Sequence, residues 1–405
     1  MIKLINMKNS AAPLYLSARE ASAELSISSA TLYAYVSRGL IRSEPMEDTR
    51  ARRYRADDVR ALKNRRAPPP GARETDGEHA VLDSAISTIS DEATIYRGVD
   101  AIALSRTATL EQTATLLWDV SGFDPFVSGN LPVLSEPMRA VMRAAKDEAP
   151  VPRAAAVFAL AADADPRAYI RAPEGRALLG ARIVRLMAAA ILNAEPSADP
   201  IHVQIARAWA PREPKALDFI RRILVLLAEH ELNASTYALR VAASTGVSLY
   251  DAVLAGLATL KGPRHGGAGP LAARFVAQMS EGDPAAPIRE RLANGEYIPG
   301  FGHRVYKAGD PRAIDLLASM RAAGAEERFV SEIPELVYEA TGARPNIDYA
   351  IAVHGRALGL PQGSEIAIFA IARTAGWVAH GIEQSKSRRL IRPRARYIGP
   401  APARR

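Results

Sequence analysis

The sequence predicts a mainly α-helical protein in which a small basic domain precedes a much larger helical one. Apolar residues recur every three or four positions through most of the 405 residues, whereas alternating strand patterns are scarce. Positive charge is concentrated near the amino terminus, and a proline-rich segment follows it. We therefore expect domains at residues 1–66 and 81–405, joined by a linker at 67–80.

Composition excludes several classes of protein. The content of 48% hydrophobic and 24% charged residues is ordinary for a globular protein with a sizeable core. No apolar run reaches the roughly 18 residues that span a bilayer. The amino terminus, with candidate starts at Met1 and Met7, lacks the apolar core of a signal peptide. We expect a cytoplasmic protein without a membrane partner, and the absence of cysteine excludes disulfides and Cys-based metal sites.

The net charge of +8 is distributed unevenly. Residues 1–66 contain thirteen Lys and Arg residues against seven Asp and Glu residues, a net charge of +6 that leaves +2 for the remainder. This asymmetry favours a polyanionic partner for the amino-terminal domain.

The amino-terminal domain carries the pattern of two short helices around a turn. Ser17 and Glu20 form a capping-box pattern that opens the first helix. Ser28 can cap a second helix, which Gly39 terminates. Two short helices joined by such a turn predict a helix-turn-helix motif. The basic segment 50–55 follows and predicts the wing of a winged helix.

The segments Ser-Ala-Arg-Glu-Ala (17–21) and Leu-Tyr-Ala-Tyr-Val-Ser-Arg-Gly-Leu-Ile (32–41) resemble the MerR- and excisionase-type winged-helix family over about residues 13–66. The resemblance implies DNA binding, and a basic accessory domain without DNA contacts is the alternative. A single module would bind weakly, so useful affinity would require a dimer. The candidate DNA contacts are Ser29, Thr31, Arg38, Arg52 and Arg53.

The region after residue 81 reads as one helix after another. We assign no chemistry to residues 81–200, where Thr88, Thr94 and Tyr96 are hydroxyl residues with no evident partner. Amphipathic patterns predict helices near 107–119, 135–147, 153–163, 175–192 and 216–229.

The segment Lys-Gly-Pro-Arg-His-Gly-Gly-Ala (261–268) places His265 in a turn between helix breakers. Glycine and proline end the preceding helix, and the two glycines that follow let the backbone approach whatever His265 contacts. A ligand-binding histidine and an ordinary loop histidine both fit this segment alone.

Two further candidates are marked by their charged neighbours. His230 lies between Glu229 and Glu231, which we expect to favour its charged form, whether it binds a ligand or is structural. Arg312 follows Asp310 in an Asp-Pro-Arg helix start and should project from a helix amino terminus, a position suited to anions.

The remaining candidates come from helix patterns. Asp348 opens a helix after Pro-Asn, where it is either a dipole partner or a functional acid. Arg373 shares a helix face with Phe369 and Trp377, so it needs an acidic residue or an acidic ligand once it is buried. His303 lies in a Gly-Phe-Gly-His segment.

Together, Gly-Pro-Arg-His-Gly-Gly (262–267), Gly-Phe-Gly-His (300–303), Asp-Pro-Arg (310–312) and Arg-Pro-Asn-Ile-Asp (344–348) resemble the citrate synthase family. The resemblance covers about residues 81–405. It implies a helical homodimer whose large and small domains close over the substrates, with the small domain at about 266–350. It also implies an acyltransferase that condenses oxaloacetate with acetyl-CoA to citrate and CoA through an enol(ate), with no cofactor or metal besides the thioester.

The resemblance further implies a role for each matching residue. His265 would hydrogen-bond the thioester carbonyl, Asp348 would remove the methyl proton, and His303 would polarise and protonate the ketone. Arg392 would reach the neighbouring subunit's site, and Arg304 and Lys307 would contact CoA phosphates. The expected oxaloacetate-binding residues are His230, Arg312, Phe369, Arg373 and Arg392.

Two positions depart from the family pattern. Arg264 replaces a residue that is often small and apolar, and Tyr349 follows Asp348 where phenylalanine is frequent. Two alternatives therefore stay open, a 2-methylcitrate synthase that uses propionyl-CoA and a metabolite-sensing DNA-binding regulator with a citrate-synthase-like domain. Retention of Asp348 favours an enzyme, because a sensor does not need the base.

Overall fold

The computed structural model describes residues 15–25, 29–37, 39–46, 52–59, 82–90, 92–387, 389–395 and 398–399. The chain divides into two compact units, Met1–Val81 and Leu82–Arg405. The predicted linker, the turn at 26–28 and Arg38 lie outside the described residues.

The described residues of the amino-terminal unit include two complete helices, a helical segment at 56–59 and a three-stranded antiparallel sheet in which Arg52–Arg55 pairs with Tyr15–Ser17 on one side and Ser43–Pro45 on the other. Ser17 and Glu20 cap the first helix reciprocally, and the Ser17 N–H donates to Glu20 Oε2 at 2.8 Å, as the sequence predicts. Gly39 follows the second helix with φ of +70°, the left-handed conformation that ends helices. The elements are β1 (Tyr15–Ser17), α1 (Ala18–Leu25), α2 (Ser29–Ser37), β2 (Ser43–Pro45) and β3 (Arg52–Arg55).

Part of the basic segment that predicts a wing forms β3, and its side chains have local partners. Arg52 Nε donates to Ser43 Oγ at 2.9 Å. Arg53 donates to Glu44 Oε2 at 3.1 Å, and its guanidinium lies 4.4 Å from the ring centroid of Tyr15. Both arginines remain exposed on β3, the central strand of the sheet, where β3 forms a ribbon with β2.

The larger unit begins with a small antiparallel sheet and continues as helices. Its strands are β4 (Ser87–Ile89), β5 (Thr94–Tyr96) and β6 (Val99–Asp100). Its helices are α3 (Ala101–Ser105), α4 (Leu110–Leu117), α5 (Glu136–Ala144), α6 (Pro150–Phe158), α7 (Ala161–Ala164), α8 (Pro173–Leu192), α9 (Ile201–Trp209), α10 (Ala216–Leu227), α11 (Ala234–Ser244), α12 (Leu249–Leu260), α13 (Ala268–Gln278), α14 (Ala285–Ala293), α15 (Pro311–Ala322), a π-helical turn (Arg328–Glu332), α16 (Ile333–Thr341), α17 (Ile347–Ala357) and α18 (Ser364–Ser387).

The expectation of a wholly helical region after residue 81 was wrong at residues 87–100. Strands of two or three residues are too short for an alternating pattern to stand out in the sequence. Thr94 and Tyr96 also have partners that the sequence did not reveal. The Thr94 hydroxyl lies 2.5 Å from that of Tyr306, and Tyr96 Oη lies 3.1 Å from the Glu229 carbonyl oxygen.

The long helix α18 forms the centre of the larger unit. It is buried along most of its length and contacts α4, α8, α10, α11 and α12. Gly180 of α8 allows one close approach, because a Cβ there would lie 2.7 Å from Val378 and 3.0 Å from Trp118. Across the described ranges, no helix combines the length and apolar character needed to cross a membrane.

The carboxyl end of α10 lies against the middle of α18. Arg373 Nε donates to the Leu227 carbonyl at 2.9 Å, and the Gly376 N–H donates to the Ala228 carbonyl at 3.1 Å. These bonds satisfy carbonyl groups that a helix end leaves without partners. A Cβ at Gly376 would overlap both the Ala228 carbonyl oxygen and the Glu229 carboxylate, so the contact requires glycine.

Substituting Gly376→Ala should destabilise the larger unit by about 1–3 kcal/mol, because an added methyl group must displace closely packed atoms. The midpoint of urea unfolding, followed by circular dichroism, would measure the loss. Gly129→Ala is the matched control, since nothing lies within 4 Å of the position that its Cβ would take. Equal midpoints for the two variants would contradict the packing argument.

Candidate active site

Seven of the predicted site residues line a single cavity of about 170 Å³. They belong to different helices and loops of the larger unit, so the fold brings together segments that are far apart in sequence. These residues are His230, His265, His303, Arg312, Asp348, Phe369 and Arg373.

His303 is held by its own loop. Its Nδ1 accepts hydrogen bonds from the backbone N–H groups of Val305 and Tyr306 at 3.1 and 3.2 Å. In the neutral ring the proton therefore resides on Nε2. Burial lowers the pKa of His303, which favours this neutral form. His303 can thus present an Nε2–H donor.

His265 is oriented by a serine on α11. Its Nε2 lies 2.8 Å from the Ser235 hydroxyl, which also lies 2.9 Å from Asn233 Oδ1. The Ser235 hydroxyl has one proton, which it donates either to Asn233 Oδ1 or to His265 Nε2, and in the second arrangement the neutral imidazole carries its own proton on Nδ1. Burial, followed by the charge of Arg373, lowers the pKa of His265 to about 4. His265 is therefore a neutral group at physiological pH.

The glycines after His265 serve local packing. A Cβ at Gly266 would overlap the Leu260 carbonyl oxygen, and one at Gly267 would lie 2.8 Å from Pro263 Cα. The sequence correctly marks a position where only glycine fits. The structure places the backbone of Leu260 and Pro263 against these glycines, whereas a close approach to a ligand of His265 was expected.

The expectation that His230 would be charged was wrong. Burial, reinforced by Arg312 and Arg373, lowers the pKa of His230 well below its usual value. Its Nδ1 lies 3.5 Å from Arg312, and a guanidinium can only donate, so Nδ1 is the acceptor.

The two glutamates that flank His230 turn away from it. Glu229 Oε1 accepts from the Ser87 hydroxyl at 3.2 Å and lies 3.1 Å from His380 Nε2. Glu231 Oε1 accepts from the Ile89 N–H at 2.9 Å. Adjacency in sequence therefore did not produce an ion pair with the imidazole.

Arg312 has a carboxylate partner within its own helix start. Its Nε and Nη2 donate to Asp310 at 3.0 and 2.8 Å. Although burial opposes its charge, Asp310 raises the pKa of Arg312 overall. Asp310 also accepts the Ile347 N–H at 3.0 Å, which ties the start of α15 to the start of α17, beside Asp348.

Arg373 is a buried cation with one hydrogen-bond donor that has no partner in the described structure. The side chain is buried, its guanidinium lies 4.5 Å from the Phe369 ring centroid, and its Nη1 has no hydrogen-bond partner in the described structure. Burial lowers the pKa of Arg373 to about 10, so it remains charged at neutral pH. A buried guanidinium with an open donor is suited to an anionic ligand.

Asp348 supplies one of the two carboxyl groups that line the cavity, and Glu365 supplies the other. The Asp348 N–H donates to Asn346 Oδ1 at 3.0 Å, which fixes the first turn of α17. Burial raises the pKa of Asp348 to about 6, against the opposing charge of Arg312. A carboxylate with a pKa near neutrality is suited to general-base catalysis.

These properties define what the cavity can do. Its cations attract a small anion, its neutral histidines can donate to developing oxyanions, and Asp348 can accept a proton from carbon. The described residues contain no group of three or more metal-ligating side chains.

Three predicted site residues lie elsewhere. Lys307 lines a neighbouring cavity of about 220 Å³ with Arg344, whereas Arg304 is exposed and lines neither of these two cavities. Arg392 is exposed beyond the end of α18. The structure therefore does not bring these three side chains into the small cavity of the same chain.

The departures at Arg264 and Tyr349 also lie outside the cavity lining. Arg264 is exposed in the turn before His265. Tyr349 is fully buried, and its hydroxyl donates to the Phe329 carbonyl at 2.8 Å. Neither side chain changes the groups that line the small cavity.

Sequence reasoning missed Asn233, Ser235 and Glu365 as site residues. Asn233 lines the cavity and caps α11, and Ser235 contacts His265 from thirty positions away. Glu365 also lines the cavity, but an acid in the first turn of a helix ordinarily indicates only a favourable dipole interaction.

Comparisons with known proteins identify one family over most of the larger unit. The family model for the citrate synthase C-terminal domain matches residues 77–394. Citrate synthase 2 of Bacillus subtilis is 39% identical over 194 residues, which are 46% of this chain and 52% of that protein. The 2-methylcitrate synthase 1 of Corynebacterium glutamicum is 37% identical over 185 residues, 44% of this chain and 49% of that protein. The chain thus spans about half the length of the curated relatives it matches.

Solved structures match over a larger part of the chain. Citrate synthase from Thermotoga maritima has a TM-score of 0.68 and 25% identity, over 81% of this chain and 96% of that chain. Citrate synthase from Thermoplasma acidophilum, in a ternary complex with carboxymethyl-CoA and oxaloacetate, has a TM-score of 0.67 and 27% identity, over the same 81% and 96%. These likenesses confirm the mainly helical fold of the larger unit.

The raised pKa of Asp348 should make its ionisation oppose folding. Below the pKa of the unfolded state, near 4, Asp348 is protonated and its burial does not lower the free energy of unfolding. As the pH rises through the folded-state pKa of about 6, ionisation of the buried acid lowers the free energy of unfolding. Asp348→Asn should therefore stabilise the protein at pH 8 by about 1–3 kcal/mol, because one pKa unit corresponds to about 1.4 kcal/mol. The gain should vanish near pH 4. Urea midpoints of both proteins across this range test the prediction, and a gain independent of pH would refute it.

Proposed function

The chain belongs to the citrate synthase family, and we propose that it condenses oxaloacetate with acetyl-CoA to give citrate and CoA. The observation that carries the proposal is the small cavity itself. It combines a carboxyl group with a pKa of about 6, neutral histidines and a buried arginine with an open donor. Each feature corresponds to one requirement of the reaction.

In the first step Asp348 removes a proton from the thioester methyl group. The methyl group is a weak acid, so the carbonyl oxygen needs a donor as negative charge develops on it. His265 provides that donor through Nδ1–H when Ser235 donates to Nε2. A neutral imidazole suits this role, since it stabilises the enol(ate) without first losing a proton to the carboxylate.

In the second step the enol(ate) carbon attacks the ketone carbon of oxaloacetate. His303 presents Nε2–H because its Nδ1 accepts two backbone hydrogen bonds, and this N–H donates a hydrogen bond to the ketone oxygen as negative charge develops there. The alcohol gains one proton, which balances the proton that Asp348 took from the methyl group. Hydrolysis of the resulting citryl thioester releases citrate and CoA. Proton transfer, carbon–carbon bond formation and hydrolysis involve no oxidant or reductant, so the reaction needs no cofactor besides the CoA thioester that is its substrate.

Arg312, Arg373 and His230 would bind the carboxylates of oxaloacetate. Arg373 offers its open Nη1, and His230 offers Nε2–H because its Nδ1 faces Arg312. We propose a homodimer in which Arg392 of a second copy completes the carboxylate site, since this residue is exposed in its own chain.

The CoA phosphates would lie near the loop that follows His303. Lys307 and Arg344 line the adjacent cavity of about 220 Å³, and Arg304 is exposed on the same loop. Propionyl-CoA is the alternative thioester, as the match to a 2-methylcitrate synthase indicates, and the product would then be 2-methylcitrate.

For the amino-terminal unit we propose DNA binding. Support comes from its two short helices, its net charge of +6 over residues 1–66 and the exposed arginines Arg52 and Arg53 on the ribbon. Ser29 is exposed at the start of α2, and Thr31 is partly buried two residues later. A regulator that senses a metabolite through the larger unit is therefore the second candidate function.

Asp348→Ala should lower kcat for CoA release by about 10²- to 10⁴-fold, because the general base is lost. For the wild type, kcat/KM should fall as the pH drops below about 6, where Asp348 becomes protonated. A thiol-trapping assay with oxaloacetate and acetyl-CoA measures both effects. Asp283→Ala removes an exposed acid and serves as control. Wild type that releases no CoA from either acetyl-CoA or propionyl-CoA would reject the enzyme.

The full-length protein should bind duplex DNA with an affinity that falls steeply as salt rises. Replacing Arg52 and Arg53 with alanine should weaken binding and reduce the salt slope by about one for each phosphate that is no longer neutralised. Fluorescence anisotropy at several salt concentrations measures both quantities. Arg207→Ala with Arg289→Ala removes two exposed arginines of the larger unit as a control. An unchanged slope in the Arg52 and Arg53 variant would exclude the ribbon as the DNA-binding surface.

A further inference from the structure

A cavity of about 680 Å³ lies where α8 begins and where α11 and α18 end. It shares no lining residue with the small cavity that contains Asp348. A larger cavity of about 930 Å³ is different, because Glu365 and Ile366 line both it and the small cavity. The cavity of about 680 Å³, which we call the α8–α18 cavity, is therefore a separate site, and its volume suits a small molecule.

The lining of the α8–α18 cavity carries only positive charge. It includes four cationic side chains and neither aspartate nor glutamate. Glu174, the acid in the first turn of α8, is exposed and lies outside the lining. Because like charges that share a cavity repel, this arrangement favours the binding of an anion from outside the chain. The four cationic residues are Arg171, Arg176, Lys386 and Arg389.

The four cationic side chains have no ion-pair or hydrogen-bond partner among the residues that the structure describes. The helices that border the cavity provide partners for cations elsewhere. Arg182 Nη1 of α8 lies 3.3 Å from Asp165 Oδ2, and Arg240 Nη1 of α11 lies 2.7 Å from Glu383 Oε2. The cations of the cavity therefore differ from these two in having no countercharge within the described chain.

Arg176 is the least solvated of the four cations. It is half-buried, whereas the other three are exposed. Burial, followed by the charge of Arg171, lowers the pKa of Arg176, so the two guanidinium groups lie close enough to repel each other. Arg176 also lies near the start of α8, where the helix dipole disfavours a cation. A bound anion would offset all three effects.

We propose that the α8–α18 cavity binds a small molecule that carries a diphosphate or triphosphate group. Linked phosphates carry the several negative charges that four cations can neutralise, whereas a single carboxylate carries one. Guanidinium groups bind phosphate oxygens through paired, charge-assisted hydrogen bonds. The inference is independent of the proposed condensation, because it uses none of the residues assigned to that reaction.

The cavity also has an apolar part. Tyr169 is 66% exposed and lines the cavity together with Val247, which is 41% exposed. Exposed aromatic and aliphatic side chains provide a surface on which a planar ring system can pack. A nucleoside triphosphate has both a ring system and the charged group, whereas inorganic triphosphate has only the charged group. These two compounds are therefore the probes that distinguish the sources of the phosphate group.

Calorimetric titration of the full-length protein with ATP and with inorganic triphosphate tests the proposal. Both should bind with an affinity that falls as salt rises, because three of the four cations are exposed. Binding should persist at saturating oxaloacetate, since the cavity is separate from the proposed substrate site. Tighter binding of ATP would indicate a ligand with an attached ring system, and equal binding would indicate that the phosphate group alone is recognised.

Arg176→Gln with Lys386→Gln should weaken the binding of inorganic triphosphate by about tenfold or more, because charge-assisted hydrogen bonds are lost. Without ligand this double variant should melt at the temperature of the wild type or above it, whereas loss of a structural arginine would lower the melting temperature. Saturating triphosphate should raise the melting temperature of the wild type more than that of the double variant. Arg207→Gln with Arg289→Gln, which removes two exposed arginines outside the cavity, is the matched control.

Two other cationic surfaces are tested with the same probes. Arg52→Ala with Arg53→Ala changes the ribbon of the amino-terminal unit, and Lys307→Met with Arg344→Met changes the cavity proposed for the CoA phosphates. Both variants should retain the binding that the double variant of the α8–α18 cavity loses.

Three results would overturn the proposal. They are a wild type that binds neither probe at low salt, a double variant of the α8–α18 cavity that binds like the wild type, and citrate that binds as tightly as inorganic triphosphate. None of these measurements requires turnover, so failure of the proposed condensation would be recognised separately, by the absence of CoA release.

Discussion

The buried carboxyl end of α10 is the constraint on which the site depends. The carbonyl groups of Leu227 and Ala228 have no water to bond, so other segments must supply donors. Arg373 and Gly376 of α18 supply them. The Tyr96 hydroxyl lies close to the carbonyl oxygens of the same helix end. Because these contacts fix both His230 and Arg373, the hydrogen bonds that satisfy the helix end also position two side chains of the proposed substrate site.

Burial determines the protonation states of the histidines and of Asp348, and it shifts their pKa values in opposite directions. Burial disfavours charge, so it lowers the pKa of His230, His265 and His303 and raises that of Asp348. The same desolvation thus creates neutral donors and a base that titrates close to neutrality. Arg312 stays charged because Asp310 accompanies it into the interior.

The sequence was most informative where the determining interactions are local. The capping pair of Ser17 and Glu20, the stop at Gly39 and the long helices of the larger unit all follow from residues a few positions apart. The helix starts before Arg312 and Asp348 are of the same kind, since Asp310 caps the first helix as expected and Asn346 caps the second. Local patterns therefore determined most helices and, together with the resemblance to the citrate synthase family, marked seven of the residues that line the small cavity.

Only the tertiary structure decided the chemical state and the partners of those residues. Local charge pattern gave the wrong charge for His230, because Glu229 and Glu231 bond to segments more than 140 positions away. It could not connect Ser235 with His265 or reveal that Glu365 borders two cavities. A pattern of neighbouring residues acts over one or two helical turns, whereas burial and hydrogen-bond partners depend on which distant segments pack together.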